Sequence, residues 1–186
     1  MKRVLVPLAE GFEEIEAITI INILRRAGVE VVTAGLNDGP ITAARRTRHI
    51  ADTTIDHVLD QDFDLIALPG GSTGAANLAA DQSLVTLLKK MKSKSKPLAA
   101  ICAAPNVLLQ HGILEPSDSF TLYPGTMAES YQKSYSNYQP EKRVVTSNQI
   151  TTGKGPGVSV EFALSLVEQL VGKEKSDKIR SDMFVG

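Results

Sequence analysis

Lys96-Pro97-Leu98-Ala99-Ala100-Ile101-Cys102-Ala103-Ala104-Pro105 is the stretch around which the rest of the chain is organised. Its apolar part, Pro97 to Ile101, has the length and the unbroken hydrophobicity of a strand buried on both faces. The run ends at Cys102, two alanines follow, and Pro105 is well tolerated in the first turn of a helix. The stretch therefore predicts a buried strand, a sharp turn at Cys102 and a helix directly after it.

Cys102 is the only cysteine of the chain. A residue at a turn from strand to helix lies near backbone N–H groups and the positive end of the helix dipole, which stabilise a thiolate and lower a cysteine pKa. This position predicts an activated nucleophile. The alternative is an inert buried thiol, because free cysteine packs like a small hydrophobic residue.

Composition and charge exclude several classes of function. The chain has 186 residues, 42% of them hydrophobic, which fits a single domain over residues 1–186. A formal net charge of −1 gives no attraction to nucleic acid or to anionic membranes. No apolar run approaches the roughly 20 residues of a membrane span, and Met1 to Leu8 is too short for a signal peptide.

The cysteine and histidine content argues against metal sites and disulfides. His49, His57 and His111 are scattered and share no ligand spacing, so we expect no metal, and no sequence motif indicates another cofactor. One cysteine cannot form an intramolecular disulfide. A reducing, cytoplasmic setting is therefore the simplest expectation.

Strand-like and helix-like segments alternate along the chain. Strands are predicted at Val4–Leu8, Glu30–Ala34, Phe63–Leu68, Pro97–Ile101, Phe120–Tyr123, Val144–Ser147 and Gln149–Thr152, and helices at Ile15–Ala27, Leu84–Met91, Ala104–Gln110, Val158–Val171 and Lys173–Arg180. Such alternation predicts an α/β fold, a doubly wound, mostly parallel sheet with helices on both faces. Ligands of such sheets bind beyond the carboxyl ends of the strands, where Cys102 is expected.

The first helix carries an acidic residue in an apolar setting. This helix is hydrophobic on almost every face. Such a helix is expected to be buried on more than one side, here by the sheet on one face and by a second subunit on another. Glu16 lies one turn before Ile20 and two turns before Ile23. Burial among such residues raises a carboxyl pKa, so Glu16 is a candidate acid near Cys102.

Two glycine-rich turns follow predicted strands. Pro69-Gly70-Gly71-Ser72-Thr73-Gly74 has neither the P-loop pattern nor Gly-x-Gly-x-x-Gly, so we expect its N–H groups to face Cys102 rather than a nucleotide. Gly153-Lys154-Gly155-Pro156-Gly157 opens a helix, and both an anion site and close packing are consistent with it.

A cluster of arginines occupies the segment after the second strand. Arg45, Arg46 and Arg48 lie among small and β-branched residues, a pattern typical of an exposed hairpin or sheet edge. Contact with an anionic ligand is the alternative.

Four short motifs identify a resemblance to a known family. They are Gly11-Phe12-Glu13-Glu14-Ile15-Glu16, Leu68-Pro69-Gly70-Gly71, Ala99-Ala100-Ile101-Cys102-Ala103-Ala104-Pro105, and Gly155-Pro156-Gly157 followed by Glu161-Phe162-Ala163-Leu164. In this order and spacing they resemble the DJ-1/ThiJ/PfpI superfamily, and specifically its DJ-1 (PARK7-like) branch. The resemblance implies a flavodoxin-like fold and a homodimer.

The resemblance also implies roles for individual residues. Cys102 would be a reactive cysteine beside a protonated Glu16, and backbone groups of Gly70 and Gly71 would face it, with Ala103 as a further N–H donor. Tyr123, Gly155 and Pro156 are candidates for the lining of the site. The family's protease-like branch has a histidine directly after the cysteine; Ala103 occupies that position here and argues against a Cys-His peptidase.

One position departs from the family pattern. Many DJ-1-like proteins have a histidine before a proline near the cysteine, whereas this chain has Tyr123 before Pro124. Tyrosine is a poor base near neutral pH, so catalysis is expected to rest on Cys102 and Glu16.

The resemblance implies activity on small reactive dicarbonyls or glycated adducts, as a glutathione-independent glyoxalase or a protein deglycase. The thiolate of Cys102 would add to methylglyoxal or glyoxal, and Glu16 would shuttle the proton before hydrolysis to lactate or glycolate. The competing interpretation is an oxidative-stress sensor or chaperone whose Cys102 oxidises to sulfinate with little turnover. A flavin- or nucleotide-binding module is disfavoured because no phosphate motif is present.

Overall fold

A central seven-stranded sheet organises the molecule, which a computed structural model describes over residues 1–186. The strands are β1 (Arg3–Leu8), β2 (Glu30–Gly35), β3 (Pro40–Thr42), β4 (Arg48–Ile50), β5 (Thr53–Thr54), β6 (Leu65–Leu68), β7 (Leu98–Ile101), β8 (Val144–Ser147) and β9 (Ile150–Gly153). Their order in the sheet is β5-β2-β1-β6-β7-β9-β8. Within this sheet all pairings are parallel except that of the edge strand β8 with β9, and β3 and β4 form a separate two-stranded sheet. This arrangement confirms the flavodoxin-like α/β fold.

Helices cover both faces of the sheet. They are α1 (Glu14–Arg26), α2 (Ser72–Ala80), α3 (Gln82–Ser93), α4 (Pro105–Gln110), α5 (Glu129–Gln132), α6 (Ser159–Val171) and α7 (Lys173–Asp182). One layer contains α1, α6 and α7, and the other contains α2, α3 and α4. Every residue of β6 and β7 is buried, as expected for central parallel strands covered on both faces. No helix combines the length and hydrophobicity that crossing a bilayer requires.

Other elements of the same chain cover most of the apolar surface of helix α1. One face of α1 packs on the sheet and another on α6, which explains why most of its apolar residues are buried. Ile15 and Ile18 remain 57% and 42% exposed. These two side chains are the apolar surface of α1 that no other element of the chain buries.

Two local expectations were wrong. The segment Phe120–Tyr123 forms only an isolated bridge between Phe120 and Tyr138 rather than a strand. Its backbone finds other partners, because the Thr121 N–H donates to the Thr152 hydroxyl and the Tyr123 N–H donates to the Cys102 carbonyl. The glycine turn after β6 is also shorter than expected, since helix α2 already begins at Ser72.

The arginine segment forms an exposed hairpin. Strands β3 and β4 pair antiparallel outside the main sheet. The connecting loop is held to α1, because the Glu14 carboxylate accepts hydrogen bonds from the Arg45 N–H and the Thr47 hydroxyl. The exposed-hairpin interpretation is confirmed, and the loop is placed beside the carboxyl end of the sheet.

Candidate active site

Cys102 occupies a strained turn at the carboxyl end of β7. Its φ angle is +64°, a left-handed conformation that is unfavourable for a residue with a Cβ. Two hydrogen bonds hold the turn: the Cys102 N–H donates to Gly153 O at 2.8 Å, and the Cys102 carbonyl accepts from the Tyr123 N–H at 2.9 Å. Strain of this kind persists only where the surroundings hold it, and it is concentrated at functional sites. Helix α4 begins at Pro105, one residue after the predicted start at Ala104.

Glu16 brings a buried carboxyl group to the same turn. Its side chain is 0% exposed, and its position is set by the start of α1, where the Glu13 carboxylate accepts from the Glu16 N–H at 2.9 Å. Glu16 Oε2 accepts a hydrogen bond from the Gly70 N–H at 2.7 Å. The other oxygen, Oε1, is buried and makes no hydrogen bond. An oxygen in this state is suited to carry a proton and donate it to a neighbouring anion.

Gly70 allows the acid and the thiol to meet. A Cβ atom at this position would lie 2.6 Å from the Cys102 Cβ and 2.6 Å from Glu16 Oε2, so no side chain fits there. Because the Gly70 N–H is already bonded to Glu16, the expectation that it points at the ligand as an oxyanion donor was wrong. The N–H groups of Gly71 and Ala103, by contrast, act to lower the pKa of the Cys102 thiol.

The pKa values of Glu16 and Cys102 agree only in part with expectation. Burial raises the pKa of Glu16 to about 7, as predicted. The pKa of Cys102 is not lowered: burial, and then the charge of an ionised Glu16, raise it to about 12, although N–H groups of Gly71 and Ala103 act in the opposite direction. The expected lowering was wrong because the sequence showed the turn but not the desolvation around it.

The two groups therefore titrate as one unit. The first proton leaves the pair near pH 7 and the second near pH 12, so the pair carries a single negative charge over the interval between them. That charge resides on the carboxylate or, when the proton moves to Glu16, on the sulfur. When Glu16 is neutral, neither its charge nor a hydrogen bond from the thiol to its carboxylate raises the thiol pKa. Its O–H then becomes a donor to the thiolate.

A pocket of about 380 Å³ opens over Cys102. Tyr123 and Pro156 line it, as expected, together with Gly71 and Ala103. Gly155 does not; it contacts the Tyr123 ring from behind and lines a neighbouring pocket. Sequence reasoning had placed the glycine turn that contains Ser72 and Thr73 beside Cys102, and it had left contact of Arg45 with an anionic ligand as an alternative; these three residues line the pocket, as does Gly11. It missed Glu13, Ala44 and Thr126 as lining residues.

No histidine lines this pocket. His111 contacts the Ala79 carbonyl through Nε2, His57 contacts the Thr54 hydroxyl, and His49 packs edge-on against Phe12. No group of acidic, cysteine and histidine side chains is arranged to hold a metal ion. Among acidic side chains, Glu13 lines the pocket together with Cys102, and Glu16 lies at the adjoining Gly70 turn.

Comparison with known proteins gives matches over nearly the whole chain. Residues 2–169 match the model of the DJ-1/PfpI family. Protein dj-1beta of Drosophila melanogaster is 41% identical over 99% of this chain and 97% of its own length. The glutathione-independent glyoxalase DJR-1.2 of Caenorhabditis elegans is 35% identical over 91% of this chain and 89% of its own length.

Longer relatives and solved structures also match. Protein DJ-1 homolog B of Arabidopsis thaliana is 39% identical over 93% of this chain, which spans only 39% of that protein's length. The solved structure of oxidised Toxoplasma gondii DJ-1 superposes with a TM-score of 0.91 at 38% identity, covering 99% of this chain and 98% of that one.

Proposed function

Because this chain belongs to the DJ-1/PfpI family, we propose that it is a glutathione-independent glyoxalase in which Cys102 is the nucleophile and Glu16 the general acid and base. One observation carries the proposal: a buried acid with an unpartnered oxygen lies beside a strained thiol at the floor of an open pocket. The Caenorhabditis relative named as such a glyoxalase supports the substrate class, small dicarbonyls.

The first step is addition of sulfur to the aldehyde. In the singly charged pair, the form with neutral Glu16 and ionised Cys102 attacks the aldehyde carbon, and a C–S bond forms as the C=O π bond breaks. The resulting alkoxide takes the proton of Glu16, which leaves a hemithioacetal and a carboxylate. N–H groups of Gly71 and Ala103, which favour negative charge on the sulfur, would also stabilise the developing negative oxygen.

The second step moves a hydrogen between adjacent carbons. The Glu16 carboxylate removes the proton from the former aldehyde carbon and returns one to the neighbouring carbonyl carbon, while the hydroxyl proton of the hemithioacetal passes to the neighbouring carbonyl oxygen. Together these transfers convert the hemithioacetal to a thioester. Water then cleaves the thioester, releasing lactate from methylglyoxal or glycolate from glyoxal and regenerating the thiol. The reaction consumes one water and needs no external oxidant or reductant. Tyr123 lines the pocket, and we assign the proton transfers at carbon to Glu16.

Lactate formation tests the proposal. We expect the purified protein to convert methylglyoxal to lactate without glutathione, with kcat/KM rising through about pH 7 as the pair acquires its single charge. A glycated amine offered in the same assay tests deglycase activity separately. Absence of lactate at any pH, with a folded protein and an alkylatable thiol, would contradict the glyoxalase proposal.

A second candidate function is redox sensing. A protonated Glu16 Oε1 beside the sulfur would stabilise a sulfinate, and the structure of the Toxoplasma relative is described as oxidised. Each molecule of peroxide would oxidise the sulfur by two electrons and add one oxygen atom while releasing water. Intact mass after mild peroxide treatment distinguishes the two candidates: two added oxygen atoms without lactate formation favour the sensor, and turnover favours the enzyme.

We also propose that the protein is a cytoplasmic homodimer. A lone thiol that must stay reduced requires a reducing compartment. The exposed side chains of Ile15 and Ile18 on α1 are apolar surface that a second copy would bury.

Ile18→Glu tests the dimer. A buried unpaired charge costs several kcal/mol, so we expect the dimer dissociation constant to rise by about a hundredfold, measured by light scattering across a dilution series. Thr86→Glu, at an exposed position on α3 in the other helix layer, is the matched control and is expected to leave the constant unchanged. A parent protein that is monomeric at micromolar concentration would exclude the proposal.

A further inference from the structure

A second pocket adjoins the one over Cys102. It measures about 450 Å³ and is lined by eight residues, among them Arg143 and Lys154 but no acidic residue. Tyr123 and Pro156 line both pockets and so form the boundary between them. We propose that this second pocket is a subsite for a carboxylate on the substrate, so that the preferred substrate is an α-oxoaldehyde with an acidic tail.

Lys154 supplies the uncompensated charge. Its ammonium group makes no ion pair, and the residue is half-buried, so solvent screens its charge less than that of an exposed lysine. Its position is fixed by the sheet, because its N–H donates to the Arg143 carbonyl at 2.9 Å just beyond the paired residues Val144 and Gly153. The chain as a whole carries a net charge of −1, so the positive charge of this pocket is local.

Arg143 is held in place by hydrogen bonds that use only some of its N–H groups. Its Nε donates to Glu161 Oε2 at 2.6 Å, and its Nη2 is 3.4 Å from the Gly157 carbonyl. A guanidinium has five N–H donors, so others remain for a ligand. Glu161 offsets the charge of Arg143 and orients it, which leaves Lys154 as the dominant electrostatic attraction in the pocket.

Gly155 lies beside the boundary between the two pockets. Gly155 contributes no side chain, and a Cβ there would lie 3.1 Å from the Tyr123 ring. The ring therefore lies against the backbone and is 48% exposed at the pocket rim. A substrate whose aldehyde is bound to Cys102 would extend past Tyr123 and Pro156, placing a carboxylate a few carbons away next to Lys154.

This inference rests on the proposed glyoxalase activity for its substrate class. The probe is the dioxopentanoate in which a carboxylate lies two methylene groups from the ketone, compared with its neutral methyl ester. The acid has the same reactive carbons as the ester and would be converted to 2-hydroxyglutarate with uptake of one water. We expect the ratio of kcat/KM for acid over ester to fall about fivefold in Lys154→Gln, the effect of one partly exposed charge pair.

Lys142→Gln is the matched control, because Lys142 is an exposed neighbour that lines neither pocket. It changes the net charge equally and is expected to leave the acid-to-ester ratio as in the parent. An equal fall in both variants would show a general charge effect and overturn the subsite, as would an unchanged ratio in Lys154→Gln.

A binding measurement separates the subsite from the activity. Glutarate is expected to slow iodoacetamide alkylation of Cys102, and the concentration required should be about fivefold higher in Lys154→Gln than in the parent or in Lys142→Gln. If no aldehyde is turned over but this difference is found, the glyoxalase proposal fails and the anion site stands. Equal protection in all three proteins overturns the anion site, whatever the activity.

Discussion

Cys102→Ser is expected to lower kcat/KM for methylglyoxal by about a thousandfold or more, because a serine hydroxyl does not ionise near neutral pH and forms no comparable covalent adduct. The substitution retains the shape of the side chain and its place on the strained turn, where φ is +64°. Loss of activity would therefore report loss of the nucleophile rather than of the fold. Lactate formation under initial-rate conditions is the measurement.

Cys102→Ala provides the complementary control. It removes the hydrogen-bonding group as well as the nucleophile, so both variants should show the same residual rate if covalent addition is the step that matters. Thermal unfolding of each variant, measured beside the parent, verifies that the turn has survived. Full turnover in either folded variant would exclude Cys102 as the nucleophile.

Glu16→Gln is expected to lower the same kcat/KM by about a hundredfold or more, the usual contribution of a positioned general acid–base group. Glutamine can still accept the hydrogen bond that the Gly70 N–H gives to Oε2 at 2.7 Å, so the turn should remain in place. The amide carries no transferable proton. The inflection of thiol alkylation near pH 7 should move to higher pH, because the paired ionisation is lost and burial alone raises the thiol pKa.

The same variant should change how stability depends on pH. The folded-state pKa of Glu16 is about 7 against 4.5 for the free group, so between these values the folded protein binds more protons than the unfolded chain. The free energy of unfolding therefore falls as pH rises through this window. Since one pKa unit corresponds to about 1.4 kcal/mol, Glu16 should account for a loss of about 3 kcal/mol, which Glu16→Gln abolishes.

Urea unfolding at about pH 5 and about pH 8 measures this effect as a difference between parent and variant. Glu168→Gln is the matched control, because it makes the same chemical change at an exposed position on α6. An identical pH dependence in the parent and in Glu16→Gln would show that the carboxyl is not held neutral by the fold.

Local sequence patterns predicted most of the strands and helices, but they failed where hydrogen-bond partners distant in sequence decide the conformation. The run Leu98–Ile101 is a strand because it is apolar and short, and α4 starts at Pro105 because proline suits a first helical turn. Phe120–Tyr123 has the same apolar character, yet it is not a strand. Its N–H groups are satisfied by Thr152 and by the Cys102 carbonyl, partners that lie far away in the sequence.

Glu16 and Cys102 show where site prediction succeeded and where it failed. The apolar neighbours of Glu16 in α1 were enough to predict a raised pKa, because they are close in sequence. The direction of the Cys102 pKa depends on burial and on a carboxyl from another element, which no local pattern reveals. The Gly70 N–H was assigned to the ligand for the same reason, although it is bonded to Glu16.

The sequence by itself determined the α/β architecture, the turn at Cys102 and the presence of an acid in the first helix, because periodicity, proline and glycine act on the chain within a few residues. Only the tertiary structure decided that burial raises rather than lowers the pKa of Cys102, that the Gly70 N–H bonds to Glu16, and that Lys154 lies in an adjoining pocket. These are contacts between residues brought together from distant strands and helices, and their energies depend on desolvation, which exists only once the chain is packed.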